Sequence, residues 1–348
     1  MKFKFKKLPY FIAEVGVNHG NNIKLAEKII KQAALGGASA VKFQTYKAEL
    51  LASKNSPAYW DTSKVSINSQ YKLFKKFDKF NFAHYLKLKK ICDFYKVDFL
   101  STPFDSESAK FLNKIVKYFK LASADITNRP LLDTILKFNK PIIVSTGASN
   151  YNEISNIYNY IRKKNKQIDV AILHCVLAYP TKLKDSNLNL ITFLKSKFKN
   201  AKIGLSDHAM PDENMIVLTK AYDLGAVIIE KHFTELSLKG KKNNDHFHSI
   251  NYKDMKKFFG NIQILNEIIK NKFTTRQPLK AELQARKYAR RSMYTLNKIK
   301  KGEIFSEKNI IPKRPGMGIS PLYVNKIYGR RANKDLADDH LLVWNNIV

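Results

Sequence analysis

Eight short apolar runs, each ending in a polar or charged residue and each followed by a stretch with helical spacing, constrain this chain more than any other feature. They cover residues 11–14, 40–44, 99–102, 118–123, 142–145, 170–174, 203–208 and 227–232, with tips at Glu14, Gln44, Thr102, Ser123, Ser145, His174, His208 and His232. Strand–helix alternation implies a parallel sheet with right-handed crossovers, because a twisted strand feeding a right-handed helix packs back onto its sheet only that way. Eight such units within about 250 residues predict a closed (β/α)8, or TIM, barrel rather than an open sheet. Barrels of this kind keep their chemistry at the C-terminal strand ends, so the polar tips are the candidate site.

Between the runs, helical periodicity covers 23–35, 105–116, 152–161, 187–198 and 212–224, with Asp105 or Ser106 placed to cap the second of these. One connection is long: residues 45–80 separate the second strand from its helix and carry Tyr59, Trp60 and Tyr71, which are placed to close over a ligand. The pattern changes near 271. The expected organisation is a barrel over 1–271, a polar linker over 272–289 and a small β-rich domain over 290–348. In the last part, Ser292 to Leu296 and Ile310 to Pro312 read as strands, a short basic helix is expected around Asn325, and Leu341 to Trp344 reads as a closing strand.

The formal net charge is +33, from 62 Lys and Arg against 29 Asp and Glu. That excess is mostly lysine spread along helical segments, which describes a solvated surface rather than a nucleic-acid stripe. Cys92 and Cys175 have no short-range partner, which suggests reduced thiols and an intracellular, cytoplasmic protein. No window reaches the roughly 18 apolar residues a membrane span requires.

Side chains two apart on a strand share a face. Lys42 pairs in this way with Gln44, Ser206 with His208, and Glu230 with His232. His208 and His232, on neighbouring expected strands, are the best metal pair. Two imidazoles without cysteine suit a divalent ion completed by water and substrate oxygens, such as Mn²⁺ or Mg²⁺. Asp245, His246 and His248 form a second, less favoured source of ligands. Lys42 and Lys120 are cations at strand ends, and a barrel interior does not hold two ammonium groups without anions. Each lysine–phosphate pair at 4 Å gains roughly 4 kcal/mol before desolvation. Thr102, Ser123, Ser145 and Ser206 add hydroxyl donors, so a small anion with phosphate and carboxylate groups fits. A Schiff-base lysine is the competing role. Glu14, Asp125, Glu230 and Asp245 supply carboxylates for base, water-orienting or hydroxyl-accepting roles.

Read in order, several segments resemble the sialic acid (N-acetylneuraminate) synthase family. They are Ile12-Ala13-Glu14-Val15-Gly16-Val17-Asn18-His19, Lys42-Phe43-Gln44-Thr45, Ser101-Thr102-Pro103-Phe104, Ser145-Thr146-Gly147, Leu205-Ser206-Asp207-His208 and Glu230-Lys231-His232-Phe233. Lys300-Lys301-Gly302-Glu303 and Arg314-Pro315-Gly316-Met317-Gly318 resemble that family's C-terminal antifreeze-like (SAF) domain. The resemblance implies condensation of phosphoenolpyruvate with an N-acylated hexose, giving a nine-carbon 3-deoxy-2-keto acid and phosphate. It implies that Lys42, Thr102, Lys120, Ser123, Ser145 and Ser206 hold phosphoenolpyruvate and that His208 and His232 hold the metal. By the same resemblance Gln44, Asp125, Tyr179 and Asp245 face the sugar. It also implies a domain-swapped homodimer in which Arg314 reaches the sugar's N-acyl group from the other subunit. Glu14 is the first candidate for control of the attacking water, with Glu230 and Asp125 as further catalytic carboxylates. The sequence departs from the family pattern at Leu177, where Asn is common, at Asp125, where Glu is common, and at Phe43, where His is frequent. All three changes fall near the sugar end, so N-acetylmannosamine and a 2,4-diacetamido-trideoxy hexose both stand as acceptors. A Schiff-base aldolase using Lys42 or Lys120, and a non-catalytic basic protein that binds polyanions, are the rival readings.

Overall fold

The computed structural model describes residues 2–5, 9–60, 62–63, 66–242, 245–270 and 275–348. The chain divides into two compact units, Met1–Lys270 and Asn271–Val348. Residues 271–274, where the barrel is expected to give way to the linker, lie outside the described residues. Among the described residues no helix is long and apolar enough to cross a membrane.

The first unit is built on eight parallel strands: β1 (Tyr10–Gly16), β2 (Ala40–Thr45), β3 (Asp98–Pro103), β4 (Phe119–Leu121), β5 (Ile142–Ser145), β6 (Val170–Cys175), β7 (Lys202–Asp207) and β8 (Ile228–His232). Their hydrogen-bonded order is β3-β2-β1-β8-β7-β6-β5-β4, and the end strands β3 and β4 pack against each other, so the sheet curls into the expected barrel.

Each strand carries two rows of side chains, and the rows do different work. The outward row, with Phe11, Val41, Phe43, Phe99, Phe119, Val144, Ile172, Leu205 and Ile229, packs on the helices in one continuous core, so Phe43, expected near the sugar end, faces away from the barrel interior. The inward row starts apolar: Tyr10, Ile12, Leu100, Tyr118, Ile143, Leu173 and Ile228 form a separate cluster with Phe3. Gly204 belongs to this layer, since a Cβ there would come within 2.4 Å of the Ile228 carbonyl oxygen. Two residues further along the same row the chemistry switches: Ile12 is followed by Glu14, Leu100 by Thr102, Tyr118 by Lys120, Ile143 by Ser145 and Ile228 by Glu230. An apolar floor therefore underlies a ring of buried polar groups at the C-terminal end.

Side-chain caps start the helices where the periodicity begins. Asn22 accepts from the Leu25 N–H, Asp105 from the Ser108 N–H, and Asn150 forms a reciprocal box with Glu153. The long connection after β2 is not bare loop. It folds into two short helices, Ala48–Leu51 and Gln70–Phe77, and the Asp78 carboxylate accepts from the Ala48 N–H at 3.0 Å, tying the two together.

The second unit has one antiparallel pair, β9 (Ser292–Thr295) with β10 (Ile310–Lys313), over a small core including Met293, Ile299, Phe305, Ile310, Ile327 and Leu342. Two expectations change here. The expected closing strand contributes only an isolated bridge between Leu341 and Tyr294, because Trp344–Asn346 turns into a 3-10 helix whose Asn346 side chain accepts the Val343 N–H at 2.9 Å. Part of the expected linker is helical, with Lys280–Glu282 leading into Leu283–Tyr288. Glu282 nucleates it by accepting the Leu279 N–H and pairing with Arg276.

Candidate active site

At the C-terminal end of the barrel lies a cavity of about 350 Å³. Glu14, Lys42, Gln44, Thr102, Lys120, Ser123, Asp125, Ser145, Tyr179, Ser206, His208, Glu230, His232 and Asp245 all line it. These residues, which come from all parts of the barrel sequence, are thus brought to one volume, whereas His174, His246 and His248 are not among its lining. Arg314 belongs to the second unit, where it is exposed at the first position after β10.

The base of the cavity is an alternating charge cluster. Lys42 Nζ lies 2.6 Å from Glu14 Oε2 and 3.8 Å from Glu230 Oε2, and Lys120 Nζ lies 3.6 Å from Glu230 Oε1. Lys42 also donates to Thr102 Oγ1 at 3.1 Å, Gln44 donates to Glu14 Oε1 at 3.1 Å, and Ser206 donates to Glu230 Oε1 at 3.0 Å. Strand register makes these contacts, with Glu14 opposite Lys42 on β2 and Ser206 opposite Glu230 across β7 and β8. The two lysines therefore have protein counter-ions, Glu14 and Glu230, a pairing that the strand tips alone do not reveal.

All four charged groups are nearly inaccessible to water. Burial pushes the Glu14 carboxyl up to about 7, the nearby Lys42 pulling it down and Glu230 adding to the rise. Burial acts the same way on Glu230, but the ammonium groups of Lys120 and Lys42 overcome it and hold that carboxyl low. Lys120 is lowered by burial, whereas the two carboxylates beside Lys42 outweigh its burial and raise it.

Around this cluster, polar atoms face the cavity with capacity to spare. Among the described residues Ser145 Oγ and Asp125 Oδ2 have no hydrogen-bond partner. Buried polar groups are normally paired, so these two atoms keep capacity for a ligand's hydrogen bonds. Burial raises the Asp125 carboxyl, while its Oδ1 accepts from Asn128 at 2.9 Å. Ser123 Oγ accepts the Gly147 N–H at 2.8 Å, and a Cβ at Gly147 would sit a tight 3.0 Å from both Ser123 Oγ and Leu177 Cβ.

Histidines gather on the β7–β8 side. The ring centres of His208 and His232 are 5.5 Å apart, and the Tyr179 ring lies tilted against His208 with their centres 4.2 Å apart. His208 Nδ1 lies 2.7 Å from the Val176 carbonyl oxygen. That contact is satisfied when Nδ1 carries the proton, leaving the Nε2 lone pair for a ligand. His232 is kept neutral by burial, reinforced by His248 and His208. Its Nδ1 is 3.5 Å from Asp245 Oδ2, and His232, Asp245 and His248 offer donor atoms within 4.8 Å of one another. The donor set fits a divalent cation.

The rest of the lining is largely apolar, with Leu73, Phe74, Phe77, Phe104, Leu177 and Phe247 beside Tyr59 and Trp60. Tyr59 and Trp60 stand where the sequence expects them, but Tyr71 does not line the cavity. Phe74 and Phe77 do so, three and six residues further along their helix. His174 also turns away, with Nε2 2.7 Å from the Ser186 carbonyl oxygen. The inward row of β6 continues instead through Cys175, Leu177 and Tyr179, as period-two alternation from Leu173 dictates.

The NeuB family model matches residues 29–274, and the SAF domain model matches residues 290–348. The chain belongs to the NeuB family. It is 37% identical over 345 residues to the N,N'-diacetyllegionaminic acid synthase of Campylobacter jejuni, an alignment covering 97% of this chain and 99% of that one. It is 31% identical over 342 residues to a pseudaminic acid synthase of the same species, covering 96% and 95%. Among solved structures it resembles an N-acetylneuraminic acid synthetase from Leptospira borgpetersenii crystallised with citrate, at 31% identity and a TM-score of 0.67, covering 79% of this chain and 89% of that one. Membership of the NeuB family places the chain among the nonulosonic acid synthases, whose curated relatives are enzymes that make legionaminic, pseudaminic and sialic acids.

Proposed function

We propose that this protein condenses phosphoenolpyruvate with an N-acylated hexose, releasing phosphate and a nine-carbon 3-deoxy-2-keto acid. The observation that carries this reading is the make-up of the cavity, in which buried Lys42 and Lys120, four hydroxyls and a set of apolar side chains line one volume. The lysines, with Thr102, Ser123, Ser145 and Ser206, hold the phosphate and carboxylate. C3 of phosphoenolpyruvate attacks the aldehyde of the open-chain sugar, and positive charge builds at C2. Water adds at C2, and the tetrahedral intermediate expels phosphate by C–O cleavage. Glu14, with a carboxyl poised near neutrality, orients this water and takes its proton. Glu230 stays ionised between the lysines and sets their positions. Asp125 acts with them as a carboxyl aimed into the cavity. Mn²⁺ or Mg²⁺, held by His208 and His232, would supply Lewis-acid polarisation of the aldehyde oxygen.

Gln44, Asp125, Tyr179 and Asp245 face the acceptor, and Arg314 of the partner subunit reaches its N-acyl group in a homodimer with swapped C-terminal domains. The apolar side chain of Leu177 and the aromatic wall favour an acceptor with methyl and acyl groups, a 2,4-diacetamido-trideoxy hexose, over the more hydroxylated N-acetylmannosamine. The names of the legionaminic acid synthases support the same choice. A cytoplasmic site of action goes with these substrates. The test is phosphate release from phosphoenolpyruvate against a panel of N-acyl hexoses, with and without Mn²⁺. Release that does not depend on the acceptor would sink the reading.

One observation favours a second enzyme class. Burial lowers the Lys120 ammonium, as a Schiff-base lysine requires. Borohydride trapping of a keto acid on Lys120, with activity surviving chelation, would establish that class instead.

A further inference from the structure

We infer that the end of the linker helix and strand β9 hold residues 314–318 as a preformed loop, and that Gly316 is a positioning residue that sets where Arg314 stands. The inference rests on the proposed reading of Arg314 as a sugar contact and adds what fixes that arginine in place. The loop leaves the β9–β10 ladder after Lys313, which pairs with Ser292. It rejoins the fold at Ile319, whose carbonyl accepts the Met293 N–H at 2.8 Å and whose N–H donates to the Leu342 carbonyl at 2.8 Å. Both ends of the loop are therefore fixed by backbone pairing.

Two further ties hold the stretch between them. The Gly316 N–H donates to the Lys287 carbonyl at 2.9 Å, and the Gly318 N–H donates to Ser292 Oγ at 2.8 Å. Lys287 belongs to the last turn of the helix Leu283–Tyr288, and Ser292 is fully buried in β9. The contact at Gly316 is close as well as bonded. A Cβ there would come within 2.8 Å of Arg290 Cβ and 3.2 Å of the Arg290 carbonyl carbon. Neither atom is the free end of a side chain, so any side chain at this position drives the loop away from the linker.

Arg314 is the free group on this tied backbone. It is exposed, and among the described residues its guanidinium has no hydrogen bond or ion pair. Its neighbour Lys313 is committed elsewhere, with Nζ 2.7 Å from Asp339 Oδ1. A planar donor carried on a loop that is already ordered can meet a carbonyl or carboxylate oxygen with little further loss of chain freedom. Binding groups work when held to within about 0.5 Å of the productive position. Relieving the 2.8 Å approach at Gly316 takes a displacement of that order, so the chemistry of Arg314 survives the change while its placement does not.

The test compares full-length Gly316→Ala, Ser292→Ala, Arg314→Ala and the double variant of Gly316 and Arg314, each checked for an intact melting transition. Gly316→Ala is expected to raise the KM for a 2,4-diacetamido-trideoxy hexose about tenfold, because a small misplacement forfeits most of a positioned contact. Its kcat and its phosphoenolpyruvate Kd are expected to stay within about twofold, the pattern of lost uniform binding. Ser292→Ala, which removes the other tie, is expected to act in the same direction and carries the test if Gly316→Ala does not fold. In the Arg314→Ala background the Gly316 change is expected to add less than about twofold, the signature of a residue that acts through the arginine. Hydrogen exchange of the unaltered protein, which needs no turnover, is expected to show the 316 and 318 amides slowed at least about a hundredfold against open chain. Fast exchange of both amides, or full additivity in the double variant, would overturn the inference. So would an unchanged sugar KM in Gly316→Ala beside a raised one in Arg314→Ala, and the reading of Arg314 would then still stand. An unchanged sugar KM in Arg314→Ala would instead defeat that reading and the inference with it.

Discussion

Replacing Lys120 by methionine probes the charge cluster most sharply, because the structure predicts opposite effects on stability and on ligand binding. Lys120 Nζ lies 3.6 Å from Glu230 Oε1, and both groups are buried. Coulomb's law with an effective dielectric near 20 makes that attraction about 4–5 kcal/mol. The desolvation of the ammonium opposes it and wins, since burial lowers Lys120. Glu230 keeps Lys42 at 3.8 Å and the Ser206 hydroxyl at 3.0 Å after the change. The folded state therefore loses little, and apolar replacement of buried ions is often neutral or stabilising. Binding loses much more. One of the two cations that face a phosphate is removed, a loss of about 3–4 kcal/mol, which is a weakening of roughly 10²–10³-fold. The expected outcome for Lys120→Met is an unchanged or higher melting temperature together with a phosphoenolpyruvate Kd raised by that factor, measured by calorimetry on chelator-treated protein. A Kd within fivefold of the unaltered protein would refute the assignment of Lys120 to the anion.

Four further outcomes follow from the same geometry. Glu14→Gln keeps the shape of a side chain that touches Lys42 and Gln44 but removes the proton acceptor, so single-turnover rates should fall about 10²–10⁴-fold with phosphoenolpyruvate bound as well or better; a rate within threefold would dismiss Glu14 as the base. Leu177→Asn is expected to move the kcat/KM ratio toward N-acetylmannosamine by about tenfold, as a new hydrogen bond in place of an apolar contact does, and an unchanged ratio across the sugar panel would rule Leu177 out of acceptor choice. Arg314→Ala should raise the sugar KM about 10–100-fold, the worth of a charge-assisted hydrogen bond, while phosphoenolpyruvate binding stays the same; an unchanged sugar KM would remove Arg314 from the site. His19, buried against Phe80 with Nδ1 accepting the Asn21 N–H, is lowered by burial to about 4. The unfolded chain then takes up the proton first as pH falls, so stability present above about pH 6.5 is lost on the way down to about 4 and amounts to about 2 kcal/mol by pH 5. His19→Asn should shed that part of the pH dependence in urea unfolding, and identical pH dependence in both proteins would contradict it.

Much of this site is legible in the chain because a barrel interior obeys a period of two. Once 11–14 and 227–232 are read as strands, alternation alone sends Glu14, Glu230 and His232 inward and Lys231 outward, where Lys231 meets Asp207 at 2.7 Å. Alternation also brings Cys175, Leu177 and Tyr179 inward and turns His174, the polar residue that ends the apolar run, the other way. What alternation does not carry is the register between strands distant in sequence. Lys42 and Glu230 meet because β1 stands between β2 and β8, so the lysines' counter-ions emerge only when the sheet closes. The place of the His246–His248 turn is hidden in the chain for a similar reason: the turn is held by Asn18, more than 200 residues earlier. In the second unit the apolar run at Leu341 to Trp344 mimics a strand, and a local side-chain cap from Asn346 overrides it.

The proposed condensation makes one demand that no phosphatase or Schiff-base aldolase shares: the bond broken on the way to phosphate is C–O, and the oxygen arriving at C2 comes from water. Turnover of phosphoenolpyruvate and a 2,4-diacetamido-trideoxy hexose in ¹⁸O-labelled water, analysed promptly by mass spectrometry of both products, tests this directly. The account predicts label in the 2-keto acid and unlabelled phosphate, released only when the sugar is present. Label in the phosphate, or phosphate released without the sugar, would contradict it.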